Sequence, residues 1–154
     1  MTSIQIEKKY AFYGANSANS KPIDPAFSFV KNPRHLYDLL TKIWSKETCA
    51  PRLRPLWTAG NKTLGQCSIT AFLTQDIFGG KVFGIKREGG NFHCYNQVEN
   101  SIFDLTSEQF GNEKLDYSNN PIQLREIHFS KEEKKLRYEY LKSELLKLSK
   151  QEYL

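Results

Sequence analysis

A cysteine stands in the first turn of an expected helix in the stretch Gly65-Gln66-Cys67-Ser68-Ile69-Thr70-Ala71-Phe72. Apolar residues at helical spacing carry this helix to Phe78, and Gly79-Gly80 ends it as a glycine C-cap does. A helix N-terminus favours a thiolate, and its free backbone N–H groups can bind an oxyanion. The stretch therefore predicts a helix that presents Cys67 as a nucleophile.

A histidine and an aspartate follow the cysteine on two expected strands. His93 lies in the strand Phe92 to Val98, Asp104 lies in the strand Ile102 to Leu105, and Glu99-Asn100 forms the turn between them. With a turn of two or four residues, odd positions of one strand oppose even positions of the other. We therefore expect His93 and Asp104 to project from the same face of this hairpin, directly opposed or one step diagonal.

These three residue types in this order suit nucleophilic catalysis at a carbonyl. A thiolate at Cys67 attacks, the imidazole of His93 moves the proton, and the carboxylate of Asp104 orients the ring. Further candidates have a polar or aromatic side chain near this constellation. They are the oxyanion donors Gln66 and Asn61, the cleft wall Trp57, and Asn96 as a second orienting group that ranks below Asp104.

Each of the three residues also has a structural interpretation. A lone cysteine on the apolar face of a helix is usually a small buried hydrophobe. His93 can simply hydrogen-bond a neighbour, and Asp104 can cap the turn at Thr106. Cys67, His93 and Asp104 can also bind zinc, but three ligands from distant elements without a close ligand pair form a weak zinc signature. The prediction is a site without metal or cofactor.

Other elements frame this constellation. A helix begins at Asn32-Pro33, with asparagine as N-cap and proline at the first helical position. Val82 to Ile85 is typical of a strand, and Glu88 to Asn91 is typical of a hairpin turn. Cys94 faces away from His93 on an ideal strand, so we expect it to be packed inside. His128 has no expected partner in the site.

The C-terminal part closes the fold with a long helix. Capping boxes are expected at Thr106 with Gln109 and at Ser130 with Glu133, and residues 112–120 form a polar loop. Apolar residues at three- and four-residue intervals after Ser130 predict an amphipathic helix, whose lysines and glutamates form its solvated face. The order of elements predicts an α+β fold in which the nucleophile helix packs on an antiparallel sheet with flanking helices.

Composition limits the classes of function. The chain has 154 residues and a net charge of +5, with acidic residues mixed among the basic ones, which argues against a nucleic-acid interface. No apolar run approaches the length of a membrane span, and no signal peptide is evident, so we expect a cytoplasmic protein. Cys49, Cys67 and Cys94 include no C-x-x-C pair, which argues against a disulfide framework. We expect an N-terminal extension at residues 1–30, which can be flexible, and one domain at residues 31–154.

Three blocks of the sequence resemble the YunG-like family of small bacterial proteins. They are residues 65–72 with Gln75-Asp76 and Gly79-Gly80, His93-Cys94-Tyr95-Asn96, and Asp104-Leu105-Thr106 with Gln109-Phe110. The family usually has an aromatic residue where Cys94 stands. Its ordered Cys, His and Asp resemble, more distantly, the papain-like and transglutaminase-like enzymes, which include the NlpC-type peptidases. This second resemblance implies a papain-like core and thiol chemistry by analogy.

The sequence therefore predicts a cysteine hydrolase or acyltransferase that acts on an amide, ester or isopeptide bond of a small-molecule or peptide substrate. Its triad is Cys67, His93 and Asp104, and it needs no nucleic acid or membrane. The alternative is a non-catalytic binding module of the same fold with an inert Cys67. The sequence specifies neither the substrate nor the oligomeric state.

Overall fold

Helices and a three-stranded antiparallel sheet build an α+β structure over residues 9–151, the part of the chain that this computed structural model describes. The helices are α1 (Pro33–Leu40), α2 (Cys67–Phe78), α3 (Arg125–His128) and α4 (Glu132–Gln151). The strands are β1 (Lys81–Lys86), β2 (Phe92–Val98) and β3 (Ser101–Phe103), in the spatial order β1-β2-β3. The predicted α+β class is confirmed.

The predicted start of α1 and both ends of α2 are confirmed. The Asn32 side chain accepts a hydrogen bond from the backbone N–H of His35 at 2.9 Å, and Pro33 is the first helical residue. Helix α2 begins at Cys67 and ends at Phe78, where Gly79 adopts a φ of 82°. Most of α2 is buried, because it lies between the sheet and α4.

The hairpin has the register that the two-residue turn predicts. Val98 pairs with Ser101 and Asn96 pairs with Phe103 across β2 and β3. His93 and Asp104 therefore lie on one face, one step diagonal, because the same register continued places Asp104 opposite Tyr95. Strand β3 ends earlier than predicted, at Phe103.

The N-terminal segment, which we expected to be an extension that can be flexible, packs against the rest of the structure in its described part. Tyr13 forms an isolated antiparallel bridge with Asp104, which takes over where β3 ends. The small residues of the N-terminal segment let the chain run close to the sheet. The Arg34 side chain donates hydrogen bonds to the backbone carbonyls of Ala15 and Ala18 in this segment, at 2.6 and 3.0 Å. Several of its side chains are buried in the core, namely Phe12, Ala15, Ala18, Phe27 and Val30. Residues 1–8 lie outside the described residues.

Neither expected capping box forms. The Thr106 hydroxyl bonds to Asp104 instead of the turn that follows it. Ser130 donates to the carbonyl of Ile127 at 2.6 Å, and Glu133 pairs with Arg137. The amphipathic nature of α4 is confirmed, since Tyr138, Leu141 and Leu145 are buried. Within residues 9–151, no helix has the length and apolar character needed to cross a membrane.

Candidate active site

Cys67 is the first residue of α2, and its side chain is half-buried beside β2. The first hydrogen bond of the helix runs from Thr70 N to Gln66 O at 3.1 Å. The N–H groups of Cys67, Ser68 and Ile69 make no backbone hydrogen bond within the described residues, as expected for the first turn of a helix. The thiol lies 3.7 Å from the carbonyl oxygen of Phe92, directly before His93. The helix start therefore presents a sulfur atom together with free N–H donors.

His93 is almost completely buried, with 2% of its surface exposed. Its Nε2 lies 2.5 Å from Oδ2 of Asp104. The edge of the imidazole meets the Phe110 ring at a centroid distance of 4.6 Å. The other ring nitrogen, Nδ1, is buried and has no hydrogen-bond partner among residues 9–151. An unsatisfied nitrogen in such a buried ring is uncommon and is typical of functional sites.

Asp104 makes both of the contacts that the sequence offered as alternatives. Oδ1 accepts hydrogen bonds from the backbone N–H of Thr106 at 3.1 Å and from its hydroxyl at 3.4 Å. Oδ2 binds His93 and accepts a further hydrogen bond from the hydroxyl of Tyr117 at 2.8 Å. One oxygen thus fixes the turn while the other holds the imidazole, so the carboxylate has little freedom to move.

The thiol and the imidazole shift each other's pKa values. Hydrogen bonding from the Cys94 thiol lowers the pKa of Cys67 most, and His93 lowers it further against the opposing effect of burial. Burial lowers the pKa of His93, but the hydrogen bond to Asp104 and the interaction with the Cys67 thiol outweigh burial and raise this pKa to about 10. Both directions favour a thiolate beside an imidazolium at neutral pH.

Cys94 is packed inside as predicted, and it also reaches the site. It is 1% exposed and belongs to the hydrophobic core. Hydrogen bonding to Cys67 and burial raise the pKa of Cys94, so this thiol keeps its proton and serves as a donor. Helix α2 packs on β2, the strand that carries both His93 and Cys94.

Gln66 and Asn96 do not reach the cavity, contrary to the roles that we expected. Gln66 is fully buried, and its amide nitrogen donates to the carbonyl of Ser45 at 3.1 Å. Asn96 is also buried, and its amide donates to the carbonyl of Ala71 in α2 at 2.9 Å. Both amides satisfy backbone carbonyls inside the protein, so they position α2 rather than contact a substrate.

Trp57 and Asn61 also lie outside the cavity wall. The indole of Trp57 donates to the carbonyl of Lys62 at 3.1 Å, which folds the ring back on its own loop. Asn61 ends a short 3-10 turn, Ala59–Asn61, in that same loop. The aromatic side chain beside His93 is Phe110 instead.

A cavity of about 930 Å³ opens beside Cys67 and His93. Ser68 and Phe110 line it near these two residues, and residues of α3 and α4 form another part of its wall. Arg87 covers Phe110 with its guanidinium 4.7 Å from the ring centre. The volume is in the range of small-molecule sites.

Four further side chains of this region were not predicted as site residues, namely Tyr117, Phe110, His128 and Lys134. Tyr117 stands in the polar loop that carries no periodic pattern, so no local signal indicates its contact with Asp104. Lys134 did carry a signal. It lies four residues before Tyr138 and so occupies the same stripe of α4 as the buried Tyr138, Leu141 and Leu145.

The zinc alternative does not have suitable geometry. In the described part of the chain, no group of three or more His, Cys, Asp or Glu side chains is arranged to hold a metal ion. His93 binds Asp104 through Nε2 and interacts with Cys67 as well, so it lies between the other two residues.

A family match covers this whole site. The model of the family described as YunG protein matches residues 32–150. The chain belongs to the YunG family. The "Uncharacterized protein YunG" of Bacillus subtilis (strain 168) is 33% identical to this chain over 99 residues, which are 64% of this chain and 74% of the relative. No solved structure matches the chain. The N-terminal segment before residue 32 lies outside the family match.

Proposed function

We propose that this YunG-family protein is a cysteine hydrolase or acyltransferase with a papain-like or transglutaminase-like core. Its substrate contains an amide, ester or isopeptide bond. The observation that carries the proposal is the buried imidazole of His93, which Asp104 binds at one nitrogen while the other lacks a hydrogen-bond partner in the described residues. That ring interacts with a half-buried thiol of lowered pKa at a helix N-terminus.

The first half of the reaction forms a thioester. The Cys67 thiolate attacks the carbonyl carbon, a C–S bond forms, and the carbonyl π electrons move to oxygen. The N–H groups of Cys67 and Ser68, free of backbone partners in the described residues, stabilise this oxyanion. The oxyanion then collapses, and the bond to the leaving amine or alcohol breaks. Protonated His93 gives its proton to that leaving group.

The second half transfers the acyl group from sulfur. A water molecule, an amine or an alcohol attacks the thioester carbon, and neutral His93 takes its proton. The C–S bond breaks and the Cys67 thiolate returns beside the imidazolium. Asp104 keeps the ring in place and stabilises its positive charge in both halves. The outcome is hydrolysis with water and acyl transfer with another nucleophile.

The reducing cytoplasm is the compartment that we propose for this chemistry. Cys49, Cys67 and Cys94 are all free. Cytoplasmic conditions keep such thiols reduced, and a nucleophilic cysteine requires a reduced sulfur atom.

The decisive experiment is the pH–rate profile for alkylation of Cys67 by iodoacetamide, with the labelled residue identified by peptide mass spectrometry. We expect thiolate reactivity well below the ordinary thiol pKa of about 8.5, and an upward shift of the profile in His93→Gln. Acylation by p-nitrophenyl acetate provides a second readout, because it releases p-nitrophenolate and leaves an acetyl thioester on Cys67.

The binding-module alternative predicts a different result. An inert Cys67 titrates near pH 8.5, is unaffected by His93→Gln, and gives no acetyl thioester. Cys67→Ala is the control for the site of labelling, and the buried Cys49 and Cys94 in the same samples report any unfolding. Equal profiles for the wild-type protein and the His93→Gln variant would overturn the proposal.

A further inference from the structure

The wall of the Cys67 cavity carries more positive than negative charge. Six cationic and three acidic side chains line it, namely Arg52, Lys86, Arg87, Lys131, Lys134 and Arg137 against Glu88, Glu113 and Glu133. Two of the cations already have acidic partners, because Arg87 pairs with Glu113 and Arg137 pairs with Glu133. Within the described residues, the other four cations make no ion pair with a carboxylate.

Lys134 differs from the other three unpaired cations because it is half-buried, whereas Arg52, Lys86 and Lys131 are exposed. Burial lowers the pKa of Lys134, and electrostatic interaction with Cys94 and Cys67 opposes that effect. Lys134 and Cys67 line the same cavity. Partial burial of a cation without a counter-ion is unfavourable and is relieved by a bound anion.

A short chain of hydrogen bonds aims Lys134 into the cavity. Nζ of Lys134 lies 2.9 Å from Nδ1 of His128, and an ammonium group can only donate, so this nitrogen of His128 accepts. Nε2 of His128 then carries the proton and donates to Oε1 of Gln123 at 2.8 Å. Gln123, His128 and Lys134 all line the cavity.

The neutral state of His128 keeps this arrangement intact. Burial and the positive charge of Lys134 lower the pKa of His128 to about 4, so the ring is uncharged at neutral pH. Its acceptor nitrogen holds one of the three N–H groups of Lys134. In the described residues Nζ of Lys134 makes no further hydrogen bond, so two N–H donors remain for a ligand.

We infer that Lys134 determines specificity by binding an anionic group, a carboxylate or a phosphate, close to the carbonyl that Cys67 attacks. The substrate is thus an acyl compound that carries negative charge beside its scissile bond. Arg52, Lys86 and Lys131 attract it to the cavity through their longer-range field. This inference rests on the proposed function for the identity of the reacting bond, but the anion site itself is tested independently.

The test compares two alkylating reagents of nearly equal size, anionic iodoacetate and neutral iodoacetamide, on Cys67 at the same pH. The ratio of their second-order rate constants cancels the ionisation of the thiol, so it reports only the charge preference of the cavity. We expect the ratio to exceed that of glutathione, and to fall about fivefold or more in Lys134→Gln, the scale of one charge-assisted hydrogen bond.

Two matched variants complete the test. Lys135→Gln removes an exposed lysine next to Lys134 in the sequence that does not line the cavity, and it should leave the ratio unchanged. Lys134→Arg keeps the charge and should retain most of the preference for iodoacetate. If Lys134→Gln does not fold, the ratio of the two rate constants for the wild-type protein still tests the inference. A ratio no higher than that of glutathione overturns it.

The results separate this inference from the proposed function. In one outcome, iodoacetamide labels Cys67 fast, but Lys134→Gln does not change the ratio of the iodoacetate and iodoacetamide rate constants. This result overturns the anion site at Lys134 and still supports Cys67 as a nucleophile. Slow labelling with an ordinary thiol pKa, together with a ratio that falls in Lys134→Gln, supports the anion site and overturns the proposed chemistry. A ratio that falls equally in Lys134→Gln and Lys135→Gln indicates general charge attraction and overturns the role of Lys134.

Discussion

Tyr117 donates a hydrogen bond to the same oxygen of Asp104 that holds His93, at a distance of 2.8 Å. Burial and the charge of Asp104 raise the pKa of Tyr117, so the phenol keeps its proton and remains the donor. Tyr13 stacks on the Tyr117 ring with 3.9 Å between centroids. The N-terminal segment and the loop at residues 112–120 thus meet over the buried carboxylate, although neither contains one of the three residues of the proposed triad.

Removal of the Tyr117 hydroxyl should destabilise the protein. The Tyr117→Phe variant keeps the stacked ring but leaves a buried carboxylate with one donor fewer. We expect the free energy of unfolding to fall by about 1–2 kcal/mol, as for hydrogen bonds to charged groups. Urea unfolding measures this. Tyr13→Phe is the matched control, because it also keeps its ring in the stack and no hydrogen bond of its hydroxyl is present in the described residues. Equal stabilities of the two variants would contradict the role assigned to Tyr117.

Cys94 should control the reactivity of Cys67 without touching a substrate. It makes the largest contribution to the lowered pKa of Cys67, so Cys94→Ala should raise that pKa. The midpoint of the pH–rate profile for iodoacetamide labelling should therefore move to higher pH, and the rate at pH values below the midpoint should fall in proportion to the thiolate fraction. The pH–rate profile separates this effect from a loss of access, which lowers the plateau without moving the midpoint.

Cys49→Ala is the control for the loss of a buried thiol. Cys49 is fully buried, and its thiol bonds to the carbonyl of Ala50 at 3.5 Å. It makes no contribution to the lowered pKa of Cys67. A midpoint that moves equally in the Cys49 and Cys94 variants would show that the shift comes from disturbed packing.

Local rules explain the parts of the fold that the sequence predicted well. The cap at Asn32-Pro33 and the glycine after Phe78 act within one helical turn, and the two-residue turn at Glu99-Asn100 sets the strand register. The same parity predicted that His93 and Asp104 share a face. These features depend on residues that are close together in the sequence, so a single amino-acid sequence is sufficient to predict them.

The parts that were missed depend on contacts between distant segments. Tyr13 pairs with Asp104 because the N-terminal segment bridges to the end of β3, and Tyr117 reaches Asp104 from the loop at residues 112–120. Gln66 has the amide side chain of an oxyanion donor, but this amide donates its hydrogen bond to the carbonyl of Ser45, which is 21 residues away in the sequence. Lys134 lies on the apolar stripe of α4, four residues before the first buried side chain of that stripe, Tyr138. Helical periodicity predicts this stripe, but it cannot predict that Lys134 lines a cavity there.

The pH dependence of stability should reveal the charge state of His93. Its pKa is about 10 in the folded protein and about 6.5 in an unfolded chain. Because folding raises this pKa, its contribution is complete below about pH 6.5 and is lost as the pH rises towards 10. The lowered pKa of Cys67 acts in the opposite direction, with a contribution that is present at high pH and lost as the pH falls.

The Cys67→Ala variant isolates the contribution of His93. We expect its free energy of unfolding to decrease from about pH 6.5 upward, since Asp104 still raises the pKa of the ring. The double variant Cys67→Ala with Asp104→Asn should show a flatter curve over the same range, because the neutral amide no longer favours the imidazolium. Guanidinium unfolding at several pH values measures both. Parallel curves would show that Asp104 does not stabilise a charged His93.

Gly65 should be essential for placing Cys67, because it combines a positive φ of 73° with tight packing. A Cβ atom at this position would lie 2.5 Å from Sγ of Cys49 and 3.0 Å from the backbone nitrogen of Ala50. The space that a Cβ atom of residue 65 would need is thus filled by the protein itself. Gly65→Ala must displace the loop that leads into α2.

We therefore expect Gly65→Ala to cost about 2 kcal/mol or more in stability, and to slow Cys67 alkylation as well, because backbone strain and steric overlap act together. Gly90→Ala is the matched control. Gly90 has a similar φ of 79°, but nothing lies within 4 Å of its Cβ position. It should lose only about 1 kcal/mol, the cost of the left-handed backbone conformation, and keep the wild-type labelling rate. Equal losses of stability in both variants would mean that the contact with Cys49 yields without moving the helix start.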